Sequence, residues 1–198
     1  AASDVYKRQE QDNMLLERFY PDVYLDSAYD IDYAALKEEG YRGVIFDIDN
    51  TLVPHGAPAD ERSIALFGKL KSIGYESMLL SNNKEPRVRT FNEKVGSRYI
   101  YKANKPFPES YQKAMEIMKT TPETTLFVGD QLFTDVWGAK KAGIRTYLVK
   151  PIHPKEEIQI VLKRVLEKVV LFFYQKQQRK NFPGGGAQDE NRKGADRK

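Results

Sequence analysis

The chain has no cysteine among its 198 residues, which removes disulfides, thiolate zinc sites and cysteine nucleophiles. A reducing cytoplasm is compatible with that. With only two histidines, His55 and His153, a histidine-rich metal centre is also excluded. Long apolar runs are missing too: the longest, Val169 to Tyr174, is six residues, against the roughly 20 that a bilayer-spanning helix needs. No secretory pattern of basic start, apolar core and small-residue cleavage site is found near the N-terminus. The body also has no charge surplus. Net charge is +4, and from Gln175 onward seven basic side chains face three acidic ones, so the tail carries the whole excess. A basic isoelectric point without a clustered basic patch gives no reason to expect specific nucleic-acid binding.

What is present is chemistry placed at strand ends. Val44-Ile-Phe-Asp-Ile-Asp-Asn-Thr-Leu52 is an apolar run that delivers Asp47, Asp49 and Thr51 into a loop. Residues two apart on an extended chain project to one side, so the two carboxylates can share a site whose repulsion a divalent cation offsets. One can attack phosphorus while the other moves protons. A second apolar strand, from Glu76, ends in Ser81-Asn82-Asn83, small polar groups able to hold phosphate oxygens. A third piece sets Lys105 against Pro106. The fourth is Thr125-Leu-Phe-Val-Gly-Asp130, a buried strand and a glycine followed by Asp130 and Asp135, five residues apart. Oxygen-only ligands of this kind suit Mg²⁺.

In this order and spacing the four pieces resemble the haloacid dehalogenase (HAD) superfamily of phosphohydrolases, over about Val44 to Gly143. The resemblance implies Asp47 as nucleophile through an aspartyl-phosphate and Asp49 as general acid/base. Thr51, Ser81 and Asn82 would bind substrate, and Lys105 would stabilise the nucleophile and the transferring group. Asp47, the backbone carbonyl of Asp49, and Asp130 would ligate Mg²⁺, with Asp135 behind them.

Apolar runs near 44–48, 76–80, 98–101, 125–129 and 145–149 alternate with helical segments, the pattern of a parallel α/β sheet flanked by helices. Helices over 32–39, 60–73 and 134–142 are each expected to stop at a glycine: Gly40, Gly74 and Gly143. All four motifs then lie at carboxyl ends of strands, where open α/β sheets bind ligands. About 30 residues separate Asp49 from Ser81, enough for a helix and a strand and too few for a large cap domain. The resemblance is therefore to the capless class IIIA branch. Leu15 to Leu25 and Tyr29-Asp-Ile31 lead into the first motif as in its YqeG-type group, which is similar to phosphatidylglycerophosphate phosphatases.

The expected organisation is an N-terminal extension over 1–13, foreign to the natural protein in part, one domain over 14–178 and a disordered basic tail over 179–198. Glu157 to Gln178 reads as an amphipathic helix, apolar at 158, 161, 162, 165, 166, 169, 172 and 173. Lys163, Arg164, Glu167 and Lys168 fall opposite. The stripe either packs on the sheet or a sister subunit, or meets a membrane, where Val170, Leu171 and Tyr174 would widen it beside the following basic residues. The expected activity is a Mg²⁺-dependent phosphomonoesterase, with a phospholipid headgroup phosphate first among substrates. Soluble sugar phosphates, nucleotides, phosphoproteins and a silent interaction protein are the alternatives. The expected location is cytoplasmic, or peripheral at the inner membrane face. His55 is expected as an exposed loop residue beside the site, and Phe133 and Trp137 as packing groups.

Overall fold

The computed structural model describes residues 16–153 and 158–181, with backbone alone for 158–165 and 178–181. The extension over 1–13 and the tail from 182 lie outside the described residues. Six parallel strands form one sheet: β1 (Val23–Leu25), β2 (Gly43–Phe46), β3 (Glu76–Leu80), β4 (Arg98–Ile100), β5 (Thr125–Gly129) and β6 (Arg145–Val149), in the order β1-β6-β5-β2-β3-β4. From β2 the chain steps outward through β3 to β4, returns to β5 on the other side of β2, and continues outward to β6. The switch point is thus the crevice between β2 and β5, whose registers place Phe46 beside Val128.

Both faces of the sheet are covered, so its strands read as continuous apolar runs. Alternation still sorts them. Val44, Phe46, Leu79, Leu126 and Val128 face one core with α1 (Tyr33–Glu38), α2 (Glu61–Ser72) and α3 (Glu85–Val95). Ile45, Met78, Leu80 and Phe127 face the other, with α4 (Glu109–Met118) and α5 (Trp137–Lys141). Helix starts follow capping chemistry: Asp60 and Ser63 exchange side-chain and backbone bonds at α2, and Asp32 accepts from Ala34 and Ala35 N–H at α1. The glycines expected to stop helices do so, Gly74 with φ 81° after α2, and Gly40 and Gly143 likewise at positive φ.

Three departures from the sequence expectation matter. The segment before the first motif supplies β1, an edge strand paired to β6 through Val23–Tyr147, Tyr24–Leu148 and Leu25–Val149. The expected 134–142 helix is two pieces, a wide π turn over Leu132–Val136 and then α5. Its wide loop, closed by Val136 N–H on the Gln131 carbonyl at 3.2 Å, turns Asp135 inward. Finally, the C-terminal helix α6 (Ile158–Asn181) runs past position 178, and over the described side chains, 166–177, it packs by a face other than the expected stripe. Glu167, Val170 and Tyr174 are buried against Tyr20, Leu132, Val136 and Leu148, while Leu166, Val169, Phe172 and Phe173 are exposed. The buried Leu132 N–H needs an acceptor there, and Glu167 supplies it at 2.8 Å. Among the described residues no helix is long and apolar enough to cross a membrane.

Candidate active site

Strand β2 delivers Asp47 to the switch point, held by its N–H on the Val128 carbonyl at 2.9 Å. The chain then turns back on itself, Asn50 N–H donating to the Val53 carbonyl at 2.8 Å, with Asn50 at φ 65°. Lys105 arrives from the loop after β4. Its Nζ, with the side chain buried, donates to Asp47 Oδ1 and to Asp135 Oδ1, both at 2.6 Å. Asp135 Oδ2 accepts the Asp130 and Gln131 N–H groups at 3.2 and 3.1 Å. Asp135 is thus fully engaged, one oxygen on the lysine and the other on the backbone of the loop that carries Asp130.

Carboxylate oxygens of Asp47, Asp130 and Asp135 lie within 4.8 Å of one another, all buried. Three carboxylates against one ammonium leave two negative charges, which a hard divalent cation would neutralise. The donor set therefore fits Mg²⁺, with Asp47 and Asp130 the residues to hold it. Burial, then the Asp135 and Asp49 charges, push the Asp47 carboxyl up to about 7 against the opposing pull of Lys105. Burial acts to lower the Lys105 ammonium, but Asp135 and Asp47 overcome it and hold the group above its ordinary range.

Asp49 was expected in the metal set by its backbone carbonyl, and its side chain has partners of its own. Its carboxylate is turned out of the acidic cluster, and Oδ1 accepts from Gly56 N–H at 2.7 Å and from Arg87 Nε and Nη2 at 3.1 and 2.8 Å. Oδ2 accepts from Asn83 Nδ2 at 2.7 Å. The part of Asp49 that the family resemblance assigns to the metal, its backbone carbonyl, takes no part in these side-chain bonds. Thr51 donates its hydroxyl to Asp130 Oδ1 at 3.1 Å. Buried Ser81 accepts the Asn83 N–H at 3.2 Å, which leaves its own hydroxyl proton for a phosphate oxygen. Asn82, expected to touch substrate, has its side-chain amide committed to Lys105: Oδ1 accepts Lys105 N–H at 2.7 Å and Nδ2 donates to the Lys105 carbonyl at 3.2 Å. These groups line an open cavity of about 260 Å³, with exposed His55 on its rim.

Residues 102–159 match the family model described as HAD-hydrolase-like. The chain is similar to "Probable phosphatase YqeG" of Bacillus subtilis, 36% identical over 159 residues, which are 80% of this chain and 92% of that protein. The chain is a HAD-type phosphatase of the YqeG family. It is also 29% identical over 152 residues to "Phosphatidylglycerophosphate phosphatase 1, chloroplastic/mitochondrial" of Arabidopsis thaliana, covering 71% of this chain and less than half, 43%, of that protein. Among solved structures, the cobalt-bound deoxy-D-mannose-octulosonate 8-phosphate phosphatase of Haemophilus influenzae aligns with TM-score 0.46 and 19% identity, over 56% of this chain and 69% of that one.

In this YqeG-family phosphatase several supports of the site were not read from the sequence. Arg87 lies in the first turn of α3, four residues after Asn83, so that one helix start presents both donors to Asp49. A basic residue just beyond a Ser-Asn-Asn turn was the available signal. Tyr111, buried on α4, donates its hydroxyl to the Thr134 carbonyl at 2.8 Å and so pins the π turn. Gly129 permits Asp135 to pass beneath β5, since a Cβ there would lie 2.5 Å from Asp135 Oδ2 and 2.7 Å from its Cβ. Phe133 and Trp137 pack edge-on and tilted against Phe19.

Proposed function

We propose that the chain is a Mg²⁺-dependent phosphomonoester hydrolase working through an aspartyl-phosphate on Asp47, with the phosphate of a phospholipid headgroup, phosphatidylglycerophosphate, as substrate. The observation that carries the reading is the buried Asp47–Lys105–Asp135 chain of 2.6 Å contacts at the switch point, beside Asp130. Bound Mg²⁺ would offset charge on the phosphate and the two aspartates that hold it.

Lys105 fixes one Asp47 oxygen and, staying protonated, supplies positive charge where the transferring phosphoryl group sits. An Asp47 oxygen attacks phosphorus while the bond to the leaving oxygen breaks, and Asp49 supplies that oxygen with a proton. In the second half Asp49 takes a proton from water, whose oxygen attacks phosphorus. The Asp47–phosphorus bond then breaks and inorganic phosphate leaves. That Asp49 accepts four hydrogen bonds supports its reading as the base of the second half. Ser81 is placed to donate to a phosphate oxygen, and Thr51 keeps Asp130 in position.

The substrate class is supported by the open, capless site, which admits a phosphate projecting from a bulky body, and by the likeness to the Arabidopsis enzyme. A peripheral enzyme at the inner face of a membrane follows from that reading. The test has two parts. Asp47→Asn should lower kcat by roughly a thousandfold or more, about 4 kcal/mol of barrier, and abolish acid-stable phosphoenzyme trapped from labelled substrate; activity within tenfold of wild type would remove the nucleophile assignment. A panel of phosphatidylglycerophosphate, sugar phosphates, nucleotides and phosphopeptides, run in chelator and with Mg²⁺ restored, should give the lipid the highest kcat/KM. A soluble phosphate ahead of it, or full activity in chelator, would overturn the corresponding part.

A further inference from the structure

Large apolar side chains exposed elsewhere, Ile64, Tyr101, Phe107 and Ile152, are scattered, whereas Leu166, Val169, Phe172 and Phe173 share one helix. Their spacing of three, four and seven puts them on one side of α6. The adjoining side is anchored: Glu167 accepts the Leu132 N–H, Tyr174 packs edge-on to Tyr20 with centroids 5.3 Å apart, and Gln177 donates to Glu17 at 3.0 Å. The direction in which the stripe faces is therefore set by the fold, away from the body.

Within the helix beyond Glu167 the charge has one sign, and the acid beside it, Glu17, is bonded to Gln177. From Lys168 to Asn181 the sequence has four basic residues, Lys168, Lys176, Arg179 and Lys180, and no acidic one. Lys168 and Lys176 are exposed, and the neighbouring carboxylate, Glu167, is turned inward. We infer that the outer face of α6 is a docking surface for an anionic lipid bilayer, its apolar side chains entering the headgroup boundary and its lysines meeting lipid phosphates. Pairing two copies through this face would bring Lys168 and Lys176 of each copy together, while an anionic surface neutralises them. The same helix braces the π turn at Leu132, two residues beyond Asp130, so docking would bring the catalytic loop close to the lipid surface. As an account of how substrate reaches the site, the inference rests on the lipid-phosphate reading above.

The test is co-sedimentation of the full chain with phosphatidylglycerol–phosphatidylcholine vesicles and with phosphatidylcholine alone. Binding is expected only to the anionic vesicles, weakened by salt. Phe172→Ser with Phe173→Ser, and separately Lys168→Glu with Lys176→Glu, should each weaken it by about tenfold or more. Both double variants should keep wild-type turnover of p-nitrophenyl phosphate, since neither pair touches the site. Wild-type chain that ignores anionic vesicles, or variants that bind as well as wild type, would overturn the inference. So would a dimer that the phenylalanine variant converts to monomer, because the face would then be covered by a second copy. Hydrolysis of phosphatidylglycerophosphate in detergent micelles scores the substrate separately: activity there without vesicle binding removes the docking surface alone, and vesicle binding without activity there removes the substrate alone.

Discussion

Four donors converge on the Asp49 carboxylate, and Arg87 supplies two of them through Nε and Nη2. A side chain that must take and return a proton gains from being held in one orientation, and Arg87 with Asn83 does so from a single turn of α3. Arg87→Ala should lower kcat by about tenfold to a hundredfold, part of what positioned acid–base catalysis contributes, with KM changed little and the melting temperature nearly intact. Arg87→Lys, one donor in place of a fork, should recover part of the loss. An equal fall in stability and rate for Ala, with no recovery by Lys, would mark Arg87 as structural only. At this scale the motif residues were legible because a parallel sheet puts strand-end carboxylates in one crevice. Arg87 was not, because a lone arginine on a polar helix start looks like solvated surface until Asp49 is seen to turn toward it.

At the scale of elements, α6 shows where sequence pattern falls short. The described part of its apolar stripe, Leu166 to Phe173, points outward, and the packed side contains a carboxylate that spacing placed on the polar face. Hydrophobicity cannot foresee that the π turn leaves the Leu132 N–H facing this helix. Glu167→Ala would leave that buried donor without its acceptor, at about 1–3 kcal/mol, hence a melting temperature lower by about 2–12 °C for a domain of this size. Glu167→Gln, which keeps an acceptor oxygen, should lose much less. Equal melting temperatures for wild type and Glu167→Ala by thermal denaturation would mean the helix is held by its aromatic contacts alone. The edge strand β1 escaped notice for a related reason. Three residues, Val23 to Leu25, are too few to show alternation, and only their pairing with β6 makes them a strand.

For the whole molecule, the proposed metal would act on the same group as acid. The Asp47 carboxyl titrates near 7 when folded and near 3.9 when unfolded. Between those values the folded chain in chelator holds a proton the unfolded chain has released. Its contribution to stability is therefore present at low pH and lost as pH rises through that window. Mg²⁺ competes with the proton, so its stabilising effect should be small at pH 5 and grow toward pH 7.5. At a concentration a hundred times its dissociation constant the gain is about 2.7 kcal/mol, or roughly 5–11 °C for a chain of this length. Melting curves with Mg²⁺ and with EDTA across that range check it, and a metal increment independent of pH would show that Asp47 is not where the cation binds.

The sheet ends on both sides in strands of three residues, β1 and β4, while β6 inside one edge has five. Short edges offer a neighbouring molecule too few unpaired main-chain groups to add a strand of its own. Removing residues up to Leu25 would uncover the apolar Tyr147-Leu148-Val149 ladder. The expected result is concentration-dependent turbidity and fibrous precipitate rather than a quiet loss of activity, checked by light scattering of the truncated protein. The least conspicuous strand in the sequence thus acts as the molecule's guard against self-templated assembly.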